Sequence, residues 1–377
     1  MNNNQVCYYL AIEINKQKLM SCPTFIELDW SALAHNFHLV KKQCPQAKIM
    51  AVIKSDGYGH GLLAVAGHLP DADGFAVACI EEALQLRAAG ISQPILLLSG
   101  FFEGAELPLI AQHHLACVLH QPWQCEELLR YPVPTPLAIW LKVDTGMGRL
   151  GLSPEQLHTF WPQLKNAPQV QSLTLMSHMA CADDRNHPLN QQQLRLFADY
   201  QQYYQTPASL ANSACLLAMP NSHYTWVRAG IILYGVSPFL PEQRLAALPL
   251  KPVMRLRSSL MAVVWHHKGD NIGYGGTWRC PQDMPVGIIP IGYGDGYPRH
   301  AKNGTPVLLN QRPVPLIGRV SMNLISLDLR SQPHAQVGDP VLLWGQGLPV
   351  ETVADHADTI GYQLLTNVTQ RVARKTI

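Results

Sequence analysis

A chain of 377 residues exceeds one ordinary domain, and at about 150 residues per domain it predicts two or three. Hydrophobic residues make up 47% and charged residues 14%, with a formal net charge of +2. That balance excludes a polyelectrolyte surface for nucleic acid or for a membrane and leaves a small, amphoteric substrate as the natural partner.

The chain opens with an apolar run at 6–14 that is interrupted by Glu13 and preceded by Asn2, Asn3 and Asn4 instead of a basic segment, so it does not read as a secretory signal. Residues 1–22 are expected to form a poorly ordered extension, with Met20 as an alternative start. After an alternating strand at 25–30, Ser31 stands where the N-cap of a helix over 32–42 is expected. Strand candidates then recur at 49–54, 74–79, 95–99, 116–119, 139–143, 172–176, 209–212 and 226–228, with helical patterns between them at 81–89, 103–113, 122–129, 154–164 and 189–204. Apolar strands alternating with helices argue for a closed (β/α)8 barrel over an open sheet, although patterning alone does not separate the two.

In such barrels the loops after the strand C-terminal ends form the active face. Lys54 is carried out of an apolar strand into a glycine-rich turn. A lysine taken out of water there can lose its proton and act as a nucleophile; a solvated lysine capping the strand is the alternative. Lys142 leads into a loop with Arg149, whose guanidinium is shaped either to grip a carboxylate in two parallel hydrogen bonds or to pair with Asp144. His178 stands at the next strand end, as a satisfied rim residue or as a catalyst. Asn212 and Ser213 close the next strand, and Arg228, Gly230 and Ile231 the last. Barrels often build a phosphate site there from backbone N–H groups and a hydroxyl.

Pro238, Pro241 and the mixed segment to Leu250 mark a linker, which gives a barrel over 23–245 and a second domain over 246–377. In the latter, short β-type runs at 253–264, 287–291, 307–309, 314–316, 325–327 and 341–344 are separated by Gly, Pro, Asn and Asp turns. Tyr274 and Tyr293 are flanked by glycines and read equally as hairpin tips or as functional groups. The nine cysteines form no C-x-x-C pair and are odd in number, so neither a metal site nor a disulfide framework is implied, and reduced thiols in the cytoplasm are expected. No run of eighteen apolar residues occurs, so no membrane span is expected.

Several strings, in this order, resemble the alanine racemases, a family that uses pyridoxal 5'-phosphate. They are Ala-Val-Ile-Lys-Ser-Asp-Gly-Tyr-Gly-His-Gly at 51–61, Lys-Val-Asp-Thr-Gly-Met-Gly-Arg-Leu-Gly at 142–151, Ser-His-Met at 177–179, Ala-Asn-Ser at 211–213 and Arg-Ala-Gly-Ile at 228–231. The glycine-flanked strings around Tyr274 and Tyr293, Gly-Arg-Val-Ser-Met-Asn at 318–323 and Gly-Tyr-Gln-Leu-Leu-Thr at 361–366 extend the likeness to the tail. The resemblance implies an N-terminal (β/α)8 TIM-type barrel with a C-terminal mostly-β domain, which the strand at 25–30 joins. It implies that Lys54 is the Schiff-base lysine and that Tyr58, Ser213, Gly230, Ile231 and Tyr362 meet the cofactor phosphate. Arg228 would face the pyridine nitrogen, Arg149 and the Met322 backbone the substrate carboxylate, and Tyr293 the gateway, with Asn212 in support. An arginine does not give up its proton, so the cofactor would be a weakened electron sink, less prone to transamination.

Racemisation takes a proton from one face of Cα and returns one to the other, which the family does with two bases, here Lys54 and Tyr274. A tyrosine of ordinary pKa near ~10 is a poor base at neutral pH, so a relay through His178 to Arg228 is expected to stabilise its phenolate. In the family this tyrosine comes from the partner subunit, which implies an obligate homodimer acting on alanine and supplying D-alanine for peptidoglycan. Lys142 matches a lysine that is carbamylated in many relatives, an anion that would orient Arg149. The chain departs from the family at Ser55 and Asp56, at Ser209, where some members carry histidine, and at Asn323, where aspartate is usual; the supporting contacts there are left open. The alternatives are a racemase for serine or lysine and a decarboxylase on the same barrel, which would set an acid against the pyridine nitrogen and a cysteine opposite the lysine. A non-catalytic pyridoxal-phosphate carrier would lack the second domain.

Overall fold

The computed structural model describes residues 22–244 and 248–377, so the expectations for the first residues, Cys22 aside, fall outside it. The strand β1 (Phe25–Leu28) is followed by eight that form the barrel: β2 (Lys48–Val52), β3 (Gly74–Val77), β4 (Ile95–Leu97), β5 (Leu115–Leu119), β6 (Leu137–Lys142), β7 (Val170–Met176), β8 (Ala208–Ser209) and β9 (Trp226–Ala229). Their parallel order is β8-β7-β6-β5-β4-β3-β2-β9. The inner strands are buried on both faces and read as continuous apolar runs, as in Ile-Leu-Leu of β4 and Leu-Ala-Cys-Val-Leu of β5. The seam between β8 and β9 is drawn together by the Arg228 N–H on the Ala211 carbonyl at 3.0 Å and the Ser209 hydroxyl on the Trp226 carbonyl at 2.9 Å. The barrel is thus nearly closed.

Helices return the chain between strands, among them Trp30–Gln43, Ile80–Ala88, Pro122–Arg130, Pro154–Lys165 and Pro188–Tyr204. The first corrects an expectation. Its N-cap is Asp29, whose carboxylate accepts from the Ala32 N–H at 3.0 Å, while the Ser31 hydroxyl donates to that same carboxylate at 2.6 Å. Asp29 keeps extended dihedrals, as a cap requires, and position 31 is already helical.

Ten further strands follow: β10 (Met254–Ser259), β11 (Ala262–His266), β12 (Asn271–Ile272), β13 (Trp278–Arg279), β14 (Met284–Ile289), β15 (Pro306–Leu309), β16 (Arg312–Ile317), β17 (Ile325–Asp328), β18 (Pro340–Trp344) and β19 (Ala373–Thr376). The run expected at 253–264 is two strands, because β10 pairs with β18 and the chain then crosses to pair β11 with β14. The second sheet has the order β11-β14-β17-β16-β15-β18-β10-β1-β19, so β1 belongs to this sheet and not to the barrel. The ribbon β12–β13 stands apart, pinned by Ile272 packing on Met284, Val286 and Ile317. Short helices at Val350–His356 and Gly361–Asn367 complete the tail. Among the described residues no helix is long and apolar enough to cross a membrane.

One continuous core joins barrel and sheet. Each fully buried leucine or isoleucine in it contributes about 1.5–3 kcal/mol relative to exposure. The two parts meet at Gly59, where a Cβ would lie 2.3 Å from the Leu365 carbonyl oxygen. Only glycine allows the helix Gly361–Asn367 to seat against the turn that follows β2.

Candidate functional site

That turn is unusual. Ser55, Asp56, Gly57 and Tyr58 all take left-handed dihedrals, with φ of 56°, 53°, 60° and 54°. Three are not glycine, and each such residue costs on the order of 1 kcal/mol. The cost is met by hydrogen bonds. Glu82, in the first turn of Ile80–Ala88, accepts the Ser55 N–H at 2.6 Å and the Asp56 N–H at 3.4 Å on one carboxylate oxygen and the Ala78 N–H at 2.8 Å on the other. The Asp56 carboxylate accepts the Leu62 N–H at 2.8 Å, and the buried His60 ring places Nδ1 at 3.0 Å from the Tyr58 carbonyl. The turn sends Lys54 and Tyr58 into one cavity of about 1130 Å³ at the C-terminal end of the barrel. Burial lowers the proton affinity of the Lys54 amine, Arg149 lowers it further, and Glu82 opposes both.

Eleven of the residues picked out from the sequence line this cavity: Lys54, Tyr58, Lys142, Arg149, His178, Asn212, Ser213, Arg228, Gly230, Ile231 and Tyr362. Arg228 is buried at its floor and has no ion pair among the described residues. It donates to the Ser209 hydroxyl at 2.6 Å, to the Ser177 carbonyl at 2.7 Å, to the Leu210 carbonyl at 3.2 Å and to His178 Nδ1 at 3.3 Å. Burial brings its pKa down to about 10, which still leaves it charged at neutral pH. His178 is held well below the ordinary histidine range by burial and by Arg228, so it is neutral, accepts on Nδ1 and keeps its proton on Nε2. Ser209, one of the departures, therefore supports Arg228 directly.

Beside Arg228, burial and the charges of Arg228 and Arg149 lower Lys142 to about 8. Arg149 does not pair with Asp144: that carboxylate accepts the N–H groups of Gly146, Met147 and Gly148 at 2.8, 2.9 and 2.9 Å and so shapes the loop that presents the guanidinium.

Across the cavity a second cluster forms. Asn212 caps the helix Ser213–Ala218, accepting from Ala214 and Cys215, and the Ser213 hydroxyl accepts from the Gly230 N–H at 3.0 Å. The Tyr58 ring stacks on Tyr234 at 4.7 Å and lies 6.1 Å from Tyr362. A Cβ on Gly230 would meet the Tyr58 hydroxyl at 2.8 Å, so the glycine leaves a polar cradle edged by two hydroxyls. Burial raises the Tyr58 phenol to about 12 and raises Tyr362 as well, which keeps both as neutral donors.

Tyr274, Tyr293 and Met322 are not brought to this cavity within the chain. They lie in the second domain, 70%, 40% and 57% exposed. Tyr293 and Met322 share one surface: the Tyr293 N–H reaches the Ser321 carbonyl at 3.1 Å and the Gly294 N–H the Met322 carbonyl at 2.8 Å. Asn323, another departure, donates to Asp295 at 3.3 Å. Of the proposed relay, one chain contains only the step from His178 to Arg228.

Two supporting residues of the site, Glu82 and Gln193, lie outside every sequence string named above. The Gln193 amide donates to the Thr145 hydroxyl and the His178 carbonyl, both at 3.0 Å. Neither sits in a recognisable string, and the signal for Glu82 was only its place in a helical first turn.

Residues 28–238 match the family model described as alanine racemase, N-terminal domain, and residues 253–376 the one described as alanine racemase, C-terminal domain. The chain is 49% identical over 347 residues to an alanine racemase of Coxiella burnetii, covering 91% of this chain and 95% of the relative. It is likewise 49% identical over 346 residues to that of Vibrio vulnificus, covering 92% and 96%. Its structure is similar to that of the biosynthetic alanine racemase from Pseudomonas aeruginosa, with a TM-score of 0.91 and 44% identity over 94% of this chain and 99% of the other.

Proposed function

This chain belongs to the alanine racemase family, and from that premise we propose that its cavity interconverts L-alanine and D-alanine on pyridoxal 5'-phosphate held at Lys54. The observation that carries the reading is Arg228, a buried cation with no acidic partner at the floor of a cavity that Lys54 also enters. A decarboxylase of this barrel type is expected to set an acid there. The donor set fits the cofactor: the cradle of Ser213, Gly230, Ile231, Tyr58 and Tyr362 supplies hydroxyl and N–H donors for a phosphate, and Arg228 a donor for a ring nitrogen. Pyridoxal 5'-phosphate, when bound, supplies the electron sink that acidifies the hydrogen on the α-carbon.

Arg149, free of Asp144, orients the substrate carboxylate, joined by the Met322 backbone of a second copy. Lys54, its proton loosened by burial, takes and returns the α-proton on one face. Tyr274 serves the other face from the partner subunit, which accounts for its exposure on a pinned ribbon outside its own chain's cavity. The His178 Nε2–H is available to hydrogen-bond the Tyr274 phenolate, and Arg228 fixes that tautomer. Tyr293 lines the approach. The protein is thus a homodimer with shared sites, working in the cytoplasm on a small substrate and supplying D-alanine for peptidoglycan. Lys142 is carbamylated: an amine near pKa 8 offers its neutral form to carbon dioxide, the nitrogen bonds the carbon and gives up one proton to solvent, and the resulting anion meets the charges of Arg149 and Arg228.

The test is a polarimetric assay with a panel of L-amino acids, run beside Lys54→Ala and Tyr274→Phe. Alanine is expected to lose its optical rotation fastest, and each substitution to lower the rate by at least about a hundredfold. Carbon dioxide release from any member of the panel would turn the reading to a decarboxylase.

A further inference from the structure

Lys54 stands among like charges. Arg149, Lys142 and Arg228 border the same cavity, and Glu82 is the acid that raises the proton affinity of the Lys54 amine. Glu82 also touches the lysine's own backbone segment, since the Ser55 and Asp56 N–H groups are the first two after Lys54. Its second oxygen is tied to Ala78 at the end of β3, so the carboxylate bridges two neighbouring barrel strands at their active face. The other ionisable groups around it are Cys79 and Glu81 on its own helix end, Asp56 on the turn and Tyr234 behind the turn.

We propose that Glu82 is a positioning residue for Lys54: it holds the left-handed turn that aims the amine into the cavity, and it is the fixed negative charge against which that amine keeps its proton. Two acceptor oxygens are needed, one for the turn and one for Ala78. A carboxamide has only one oxygen, so glutamine satisfies one side and turns an N–H toward the other. The assignment rests on Lys54 being the cofactor-bearing lysine.

The experiment compares the wild-type protein with Glu82→Ala, Glu82→Gln and the control Glu81→Ala, an exposed acid on the same helical turn. Three quantities are read: the Kd of pyridoxal 5'-phosphate for the stripped protein, the pH profile of Lys54 acylation in that stripped protein by peptide mass spectrometry, and Tm. Glu82→Ala is expected to weaken cofactor binding at least about tenfold and to speed Lys54 acylation at pH 7 at least about threefold, its profile moving to lower pH. Glu82→Gln shares the acylation change, with an intermediate Kd. Glu81→Ala matches wild type in all three.

Glu82 variants that melt lower but keep the wild-type Kd and acylation profile would overturn the assignment, as would a Glu81→Ala profile displaced as far as that of Glu82→Gln. Should the wild-type protein take no cofactor on Lys54, the functional reading itself falls.

Discussion

Lys54, Lys142 and Arg228 are among the cations that border one cavity, and the fold tolerates them because each is handled differently. Arg228 spends its donors on uncharged acceptors, Lys54 faces Glu82, and Lys142 gives way by losing proton affinity. The last has a measurable consequence. With a folded pKa of about 8 against an ordinary 10.5, an unmodified Lys142 releases its proton in the folded protein before it does so in the unfolded chain. Between those values the unfolded state binds more protons, so stability in carbon-dioxide-free buffer should climb as pH rises from about 8 to about 10. The climb, followed by urea unfolding, should be smaller in Lys142→Met, the remainder coming from groups such as Lys54 whose proton affinity is also lowered. In buffer equilibrated with ¹³C-labelled carbon dioxide, a carbamate resonance is expected from the wild type and not from Lys142→Met. At this scale the sequence showed residues that belong to strings, such as Lys54 and Arg149. It hid Glu82 and Gln193, whose roles come from what lies across space from them.

Among the elements, the inner barrel strands were legible because strands buried on both faces must be apolar throughout, and β2 and β5 announce themselves. β19 did not, for the opposite reason: Ala-Arg-Lys-Thr is polar and is held by its pairing with β1. The left-handed turn was only partly legible: its glycines and Asp56 tolerate positive φ, but serine and tyrosine give little hint of it. Gly59 joins this turn to the helix that carries Tyr362. Gly59→Ala would push a Cβ against the Leu365 carbonyl at a φ of 80°. A loss of about 2–4 kcal/mol is expected by urea denaturation, together with faster loss of pyridoxal 5'-phosphate on dialysis. A variant as stable as the wild type would mean that the helix can shift without cost.

For the whole molecule, the exposed face of the second domain sets the expectation. Trp265, Tyr274, Met322 and Leu324 leave large apolar groups exposed on the second domain. The proposed sharing of sites across a two-fold axis allows a complementation test. Inactive Lys54→Ala and Tyr274→Phe chains, unfolded together and refolded, should recover up to about one quarter of wild-type activity, because half of the random dimers then carry one intact site. No recovery, with mixed dimers verified by mass, would mean that Tyr274 serves its own chain.

The interior place of β1 reaches beyond catalysis. It is hydrogen-bonded to β10 on one side and to β19 on the other, so one of its edges waits for residues 254–257 and the other for residues 373–376. Barrel strands need none of these partners; the neighbouring sheet cannot seal on β1 until residues 373–376 are made. A nascent chain truncated before residue 373 therefore keeps an open edge on β1, a handle for chaperones or for aggregation.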